Sequence, residues 1–169
     1  MNGRVEIVPL TGSAHLAPVL ASWHYDEWGH LYPPDVWSLA TAEREFEVMS
    51  RPDSTDRTWV AFDGGSRDVT AVLGSVSLLA TDDLADFEHL TPWLASMYVV
   101  PPARGRGVAT ALMEAALHAA RADGHDVVYL FTSGQEQFWA DRGWSVIATA
   151  TTEGHVSTVM SRTTGGDNS

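Results

Sequence analysis

The most constraining stretch of this chain sets an apolar segment, a glycine-rich turn, a long helical pattern and a second apolar segment in close succession. Trp93-Leu94-Ala95-Ser96-Met97-Tyr98-Val99-Val100 has the make-up of a strand and is stopped by Pro101-Pro102. Arg104-Gly105-Arg106-Gly107 forms the turn. Over residues 108–123, Val108, Ala111, Leu112, Ala115 and Ala119 fall on one face at helical spacing, and Gly124 stands where a left-handed residue ends a helix. Val127-Val128-Tyr129-Leu130-Phe131 is a nearly continuous apolar run of strand length, which suits a strand covered on both faces.

The rest of the chain supplies more of the same two elements. Val5-Glu6-Ile7-Val8-Pro9-Leu10 reads as a short strand, and Ser13 as the cap of a helix over residues 15–28. Leu31-Tyr32-Pro33-Pro34 breaks that helix, and a second is expected over 35–49. Strands over 58–62 and 69–79 form a hairpin around Asp63-Gly64-Gly65, and an acidic loop spans 81–92. A short helix over 135–142 ends at Gly143, and strands over 144–152 and 155–162 close the chain around Glu153-Gly154. The order β-α-α-β-β-β-α-β-α-β-β describes one α/β layered domain with a mixed sheet, over residues 1–162. Residues 163–169 are small and polar and read as a flexible tail.

Composition excludes several kinds of chemistry. There is no cysteine, hence no disulfide and no thiolate nucleophile. All ten basic residues are arginine, so Schiff-base catalysis and a phosphate-binding loop built on Gly-Lys-Ser/Thr are ruled out. No apolar run is long enough to span a membrane and the N-terminus lacks a signal-peptide pattern, so the expected compartment is the cytoplasm. A formal charge of −12 repels nucleic acid and anionic lipid and favours a cationic or neutral partner. The seven histidines are scattered without metal-ligand spacing, so no metal is expected.

Against this acidic background the turn at 104–110 stands out. It places Arg104 and Arg106 at the start of a helix, where N–H groups lack intrahelical partners and the helix dipole adds partial positive charge. Gly105 and Gly107 keep side chains clear of an approaching anion. A dinucleotide-binding G-x-G-x-x-G needs glycine at position 110, where Thr110 stands. Two readings remain at this level: a phosphate seat, or a glycine-rich start of a helix with no ligand.

The segment resembles the Arg/Gln-x-x-Gly-x-Gly/Ala signature of the GNAT superfamily of acetyl-CoA-dependent N-acetyltransferases, with Arg104, Gly107 and Ala109 at its three defining places. Leu112-Met113 in the following helix, and Phe138-Trp139-Ala140-Asp141-Arg142-Gly143-Trp144 downstream, are similar to further family segments. The element order matches over nearly the whole chain. The resemblance implies a GNAT-like mixed, mostly antiparallel sheet flanked by helices. It also implies acetyl-CoA as co-substrate. The pantetheine arm would lie along Met97, Tyr98 and Val99, and the pyrophosphate on Arg104, Gly105, Arg106, Gly107, Val108, Ala109 and Thr110. Phe138 would lie beside the cofactor.

The acceptor half departs from the family pattern. Deprotonating an alkyl amine of pKa about 10.4 at pH 7 costs roughly 4.6 kcal/mol, whereas releasing a thiolate of pKa about 8.5 costs roughly 2 kcal/mol. A base therefore matters more than an acid. The resemblance puts a tyrosine acid where this chain has Trp139, whose indole cannot give up a proton near neutrality. Tyr98 and Ser133 are the hydroxyl alternatives, and Glu27, Glu88, His89 or a chain of waters are alternatives for the base. Trp23, Tyr25, Trp28, Tyr32 and Trp37 flank the Pro33-Pro34 break, and the resemblance makes this region part of an acceptor wall suited to an amine cation.

The reading that results is an N-acetyltransferase acting by direct transfer on a small cationic amine, such as a polyamine, an amino sugar or another amine metabolite. A protein or peptide N-acetyltransferase, a non-catalytic acetyl-CoA sensor and a nucleotide-binding regulator are the alternatives. Exposed strands in the closing hairpin make a homodimer reasonable.

Overall fold

A computed structural model gives the fold and describes residues 3–152 and 154–165. Met1 and Asn2, Glu153 of the expected hairpin turn, and residues 166–169 of the expected tail lie outside the described residues. The chain divides into two compact units, residues 1–77 with 96–112, and residues 78–95 with 113–169.

The strands are β1 (Val5–Pro9), β2 (Arg57–Asp63), β3 (Val72–Leu79), β4 (Trp93–Val99), β5 (Val127–Thr132), β6 (Ser145–Thr152) and β7 (His155–Thr163). The helices are α1 (Ala17–Trp28), α2 (Leu39–Met49), α3 (Val108–Ala122) and α4 (Glu136–Ala140). Strand neighbours follow the order β1-β2-β3-β4-β5-β7-β6. β1 runs antiparallel to β2, and β7 runs antiparallel to both β5 and β6, whereas β4 and β5 are parallel with Trp93 opposite Tyr129. The mixed, mostly antiparallel sheet with helices is as the sequence led one to expect.

In the first unit, α1 and α2 cover the sheet through Leu16, Leu20, Phe46, Val60 and Phe62, all buried in one apolar cluster. A polar contact lies within this interior: the hydroxyls of Thr58 in β2 and Ser77 in β3 lie 2.8 Å apart, so each buried oxygen has a partner. In the second unit Leu84, Trp93 and Val159 form a separate cluster with Phe87, Tyr129 and Phe131 around them. The Trp93 indole N–H donates to the Leu90 carbonyl at 2.8 Å, which lets a large ring bury fully without an orphaned donor.

Several element boundaries differ from the sequence expectation. Ser13 makes no side-chain cap; a 3-10 turn over Ala14–Leu16 leads into α1, and Pro18 takes the first helical turn, where a missing N–H costs nothing. The second helix starts at Leu39 rather than 35. Val36 and Trp37 donate to the Pro33 carbonyl in a turn, and Ser38 is the cap, accepting from the Thr41 N–H at 3.2 Å. Residues Val69–Ala71 form a 3-10 turn capped by Asp68, so β3 begins at Val72. At the other end β7 takes in Thr163, and Thr164 donates to the Asp126 and His125 carbonyls, so ordered chain continues past 162.

The buried face of α3 is turned about one residue from the expected one. Val108, Leu112, Met113, Ala116, Leu117 and Ala120 are buried, while Ala111, Ala115 and Ala119 are half-exposed. In an alanine-rich helix the few long side chains choose the face, because they remove far more apolar area from water. The helix ends as expected: Gly124 is left-handed at φ 93°, with Gly124 N–H on the Arg121 carbonyl and His125 N–H on the Ala120 carbonyl.

The close approach of β3 to β4 depends on Gly74. A Cβ at this position would collide with the Tyr98 carbonyl oxygen and stand 3.1 Å from the Val99 Cα. Backbone rather than a flexible side chain would have to move. Gly74→Ala is therefore expected to lower stability by about 1–3 kcal/mol, read as a lower midpoint of thermal unfolding. A midpoint equal to that of the wild type would mean that the two strands do not approach this closely.

Candidate active site

β4 ends in a sequence of tight turns. Val100 N–H donates to the Leu73 carbonyl at 2.8 Å, and Pro101–Ala103 form a 3-10 turn leading to the Arg104–Gly107 segment. Gly105 and Gly107 are both left-handed, at φ 79° and 78°. A Cβ added at either glycine meets no atom within 4 Å, so backbone handedness, not crowding, demands glycine there, and the flank of the turn stays open. Ala111 N–H donates to the Gly107 carbonyl at 3.0 Å, so the helical ladder starts there. The N–H groups of Val108 and Ala109 precede that ladder and have no partner within the helix. Val108 itself is buried and anchors the helix start.

The two arginines of the turn do different things. Arg104 folds back over β4: its Nε donates to the Val99 carbonyl at 3.0 Å, and its guanidinium lies 5.8 Å from the Tyr98 ring centroid. Arg106 reaches Asp63 at the end of β2, with 3.4 Å between Nη2 and Oδ1. Both partners of that pair are partly solvated, so it is worth about 0–1 kcal/mol.

Tyr98 sits in an aromatic cluster supplied by α1. Trp23 stacks on it at 5.7 Å and 29°, and Trp28 meets it edge-on at 6.5 Å and 80°. Glu27 is exposed and lies four residues after Trp23, hence on the same face of α1. The expected single aromatic wall is in fact two groups. Tyr25 and Tyr32 pack against Trp37 instead, and the Trp37 indole donates to Glu45. Helical phase sets Tyr25 about 160° around the axis from Trp23, whereas Trp28 reaches Tyr98 from the C-terminal end of α1.

Two residues that the sequence reading passed over hold this cluster in place. His24 is 2% exposed and packs against Trp28, Phe46 and Tyr98. Its Nδ1 is 2.7 Å from the Leu20 carbonyl oxygen and its Nε2 is 2.9 Å from that of Ser96. Both neighbours are acceptors, so a neutral ring can donate to only one of them. Burial pushes the His24 pKa below its ordinary value, against the opposing pull of those two carbonyls. Ser96 itself has φ 55°, left-handed inside a strand, a conformation costing about 1–3 kcal/mol for a residue other than glycine. Nearby, the Ser75 hydroxyl in β3 is buried with no hydrogen-bond partner. A glycine within an apolar strand, Gly74, was the one sequence signal of a close backbone approach here.

Most of the remaining expected residues belong to the second unit. The Ser133 hydroxyl donates to the Val156 carbonyl at 3.0 Å and lies 3.2 Å from the Ser157 hydroxyl, tying the turn before α4 to β7. Phe138 is covered by the Arg142 guanidinium, 3.6 Å from its ring centroid. Trp139 is buried edge-on against Phe138 and Trp144. Glu136 was also passed over. Its own backbone N–H, the Thr158 hydroxyl and the Gly134 N–H hold its carboxyl below the usual range. Glu88 and His89 are exposed. Met97 is half-buried and Val99 buried in the first unit. Among the described residues no group of three or more His, Asp or Glu could hold a metal ion, and no helix is long and apolar enough to cross a membrane.

A sequence model of the acetyltransferase (GNAT) family matches residues 18–142, a span from α1 through the glycine turn to the end of the short helix. The chain belongs to the GNAT family of acetyltransferases. It is an acyltransferase enzyme, and its family's fold binds acetyl-CoA. Solved structures agree in fold. An aminoglycoside 6'-N-acetyltransferase complexed with coenzyme A is 12% identical, with TM-score 0.72, covering 97% of this chain and 99% of its own. An aminoglycoside 6'-acetyltransferase type Ii is 13% identical, with TM-score 0.67, covering 97% and 99%. An acetyltransferase from Streptococcus agalactiae is 19% identical, with TM-score 0.65, covering 96% and 99%. No curated protein sequence matches.

The buried histidine gives this acetyltransferase a pH-dependent stability. Because folding lowers the His24 pKa, the unfolded chain takes up the proton first as pH falls. Stability is complete above the unfolded value of about 6.5 and declines below it, by at most about 1.4 kcal/mol per pH unit from this group. Denaturant titrations between pH 7.5 and 5.5 are expected to show a steeper loss for the wild type than for His24→Gln, which cannot titrate. Parallel pH profiles would mean that His24 is not buried neutral.

Proposed function

We propose that this enzyme transfers the acetyl group of acetyl-CoA directly to the primary amine of a small cationic acceptor. The observation that carries the reading is the placement of the exposed Glu27 carboxylate on the α1 face that also bears the half-buried Trp23, which stacks on Tyr98. A carboxylate at the rim of π faces suits an ammonium group, which gains Coulomb attraction and cation–π contact together. The formal charge of −12 adds long-range attraction for a cation.

The donor end fits a polyphosphate. The two left-handed glycines leave open space beside the first N–H groups of α3, and that combination suits the pyrophosphate of acetyl-CoA. Arg104, Gly105, Arg106, Gly107, Val108, Ala109 and Thr110 would hold it, with the backbone of Met97, Tyr98 and Val99 along the arm. Acetyl-CoA supplies an acetyl group already activated as a thioester.

The chain's own residues do the rest. Glu27 orients the ammonium and accepts its proton, the larger of the two proton costs at neutral pH. A backbone N–H near Tyr98 or Val99 faces the oxygen on which charge develops. Trp139 is packed into its aromatic stack and supplies no proton. Tyr98, with its ring in the acceptor cluster, is the hydroxyl closest to the proposed chemistry.

Two measurements test this reading. In an amine panel assayed for released thiol, polyamines and amino sugars are expected to be acetylated and peptides with acidic N-termini are not. Preference for an acidic peptide, or stabilisation by acetyl-CoA with no thiol released from any amine, would overturn it. Gly107→Glu is expected to weaken acetyl-CoA binding at least about tenfold, since a side chain and a negative charge enter the phosphate seat. Unchanged affinity in a variant with wild-type circular dichroism would move the seat elsewhere.

A further inference from the structure

We infer that His24 is a positioning residue whose Nε2–H, donated to the Ser96 carbonyl, holds the left-handed kink of β4 and so fixes the direction of the backbone groups that follow it. This deepens the proposed function, because it rests on the reading that the Met97–Val99 backbone receives acetyl-CoA.

The kink needs an external hold. Among the described residues other than glycine, Ser96 alone has positive φ, and such a conformation persists only where its surroundings over-determine it. Ser96 is exposed, so its side chain is not wedged into a core that would enforce it. What grips this residue is its carbonyl, 2.9 Å from His24 Nε2 across 72 residues of sequence. The next residues are held from other sides: Gly74 lets β3 close on Tyr98 and Val99, and Arg104 Nε takes the Val99 carbonyl.

The ring is suited to this task and to little else. It is buried, and both nitrogens already face carbonyls, so it is not available as a base for an amine. The Leu20 carbonyl lies four residues before His24 in α1 and receives the helical N–H of residue 24. We therefore assign the ring proton to Nε2, toward the Ser96 carbonyl at 2.9 Å. Trp28, Phe46 and Tyr98 fix the plane of the imidazole, so the bond has one direction. Turning a peptide unit in a strand redirects the neighbouring N–H and C=O groups, and those from 97 to 99 are the ones proposed to meet the ligand.

Three substitutions separate the hold from simple packing. Gln places an amide N–H near the Nε2 position, Asn places one near Nδ1, and Phe keeps a ring with no donor. The KM for acetyl-CoA is expected to rise about tenfold in His24→Phe and His24→Asn and less than about threefold in His24→Gln, the effect of one lost or retained hydrogen bond. Without any ligand, amide hydrogen exchange at residues 97–99 should quicken in Phe and Asn and stay near wild type in Gln. In the wild-type protein, nitrogen-15 NMR of the ring should show the proton on Nε2. A proton confined to Nδ1, equal behaviour of Asn and Gln, or lower melting temperatures in all three with KM and exchange unaltered would each overturn the inference. Should a variant fail to fold, the wild-type ring spectrum decides. If wild-type protein is not stabilised by acetyl-CoA, the proposed function fails instead, and the ring spectrum and exchange rates still judge the hold on Ser96.

Discussion

Backbone handedness at three positions, Ser96, Gly105 and Gly107, is the constraint on which the rest of the first unit depends. The two glycines turn the chain between β4 and α3, and Ser96 kinks β4 itself. The two glycines meet the requirement without cost, because a residue lacking Cβ tolerates positive φ. Ser96 does not, and the surrounding structure must hold it. That asymmetry explains why contacts gather on β4 from three directions: the His24 ring on one carbonyl, the Arg104 guanidinium on another, and the bare Gly74 backbone lying against the peptide between them.

The chemistry follows from what this geometry leaves unfilled. At the turn, open space beside N–H groups that precede the helical ladder offers an anion a seat on a molecule that otherwise repels anions. At α1, one helical face carries Trp23 and Glu27, Trp28 meets Tyr98 from the end of the helix, and Tyr25 joins a different group with Trp37. On the proposed reading the acceptor side is aromatic and acidic, matching a cation, while the donor side is glycine-rich and edged by arginine. Trp139 is buried where the family resemblance puts a tyrosine, and on the proposed reading the weight of catalysis moves toward deprotonating the amine. The pKa arithmetic puts the larger cost there.

Much of the fold was legible because its signals are local. Prolines 101 and 102 end a strand wherever they occur, Gly124 ends a helix by its left-handed conformation, and the glycine turn before α3 could be recognised as a phosphate seat or a helix start from six residues. Boundaries set by competition were less legible. Ser38 took the cap of α2 because the turn at Pro33 had already engaged Val36 and Trp37, and the face of α3 was chosen by Leu112, Met113 and Leu117 over the alanines. Neither outcome is contained in the propensity of a single residue. Each depends on which neighbour gains more.

The sequence by itself determined the order of elements, the anion-friendly turn and the family to which it belongs, since sterics at glycine and proline and apolar spacing act over a few residues. Only the tertiary structure decided that His24 meets Ser96, that Gly74 meets Tyr98, and that five aromatic residues form two groups. The physical reason is that these partners are backbone carbonyls and ring faces. A carbonyl is the same at every residue, so no letter of the sequence marks the one that a distant imidazole will find.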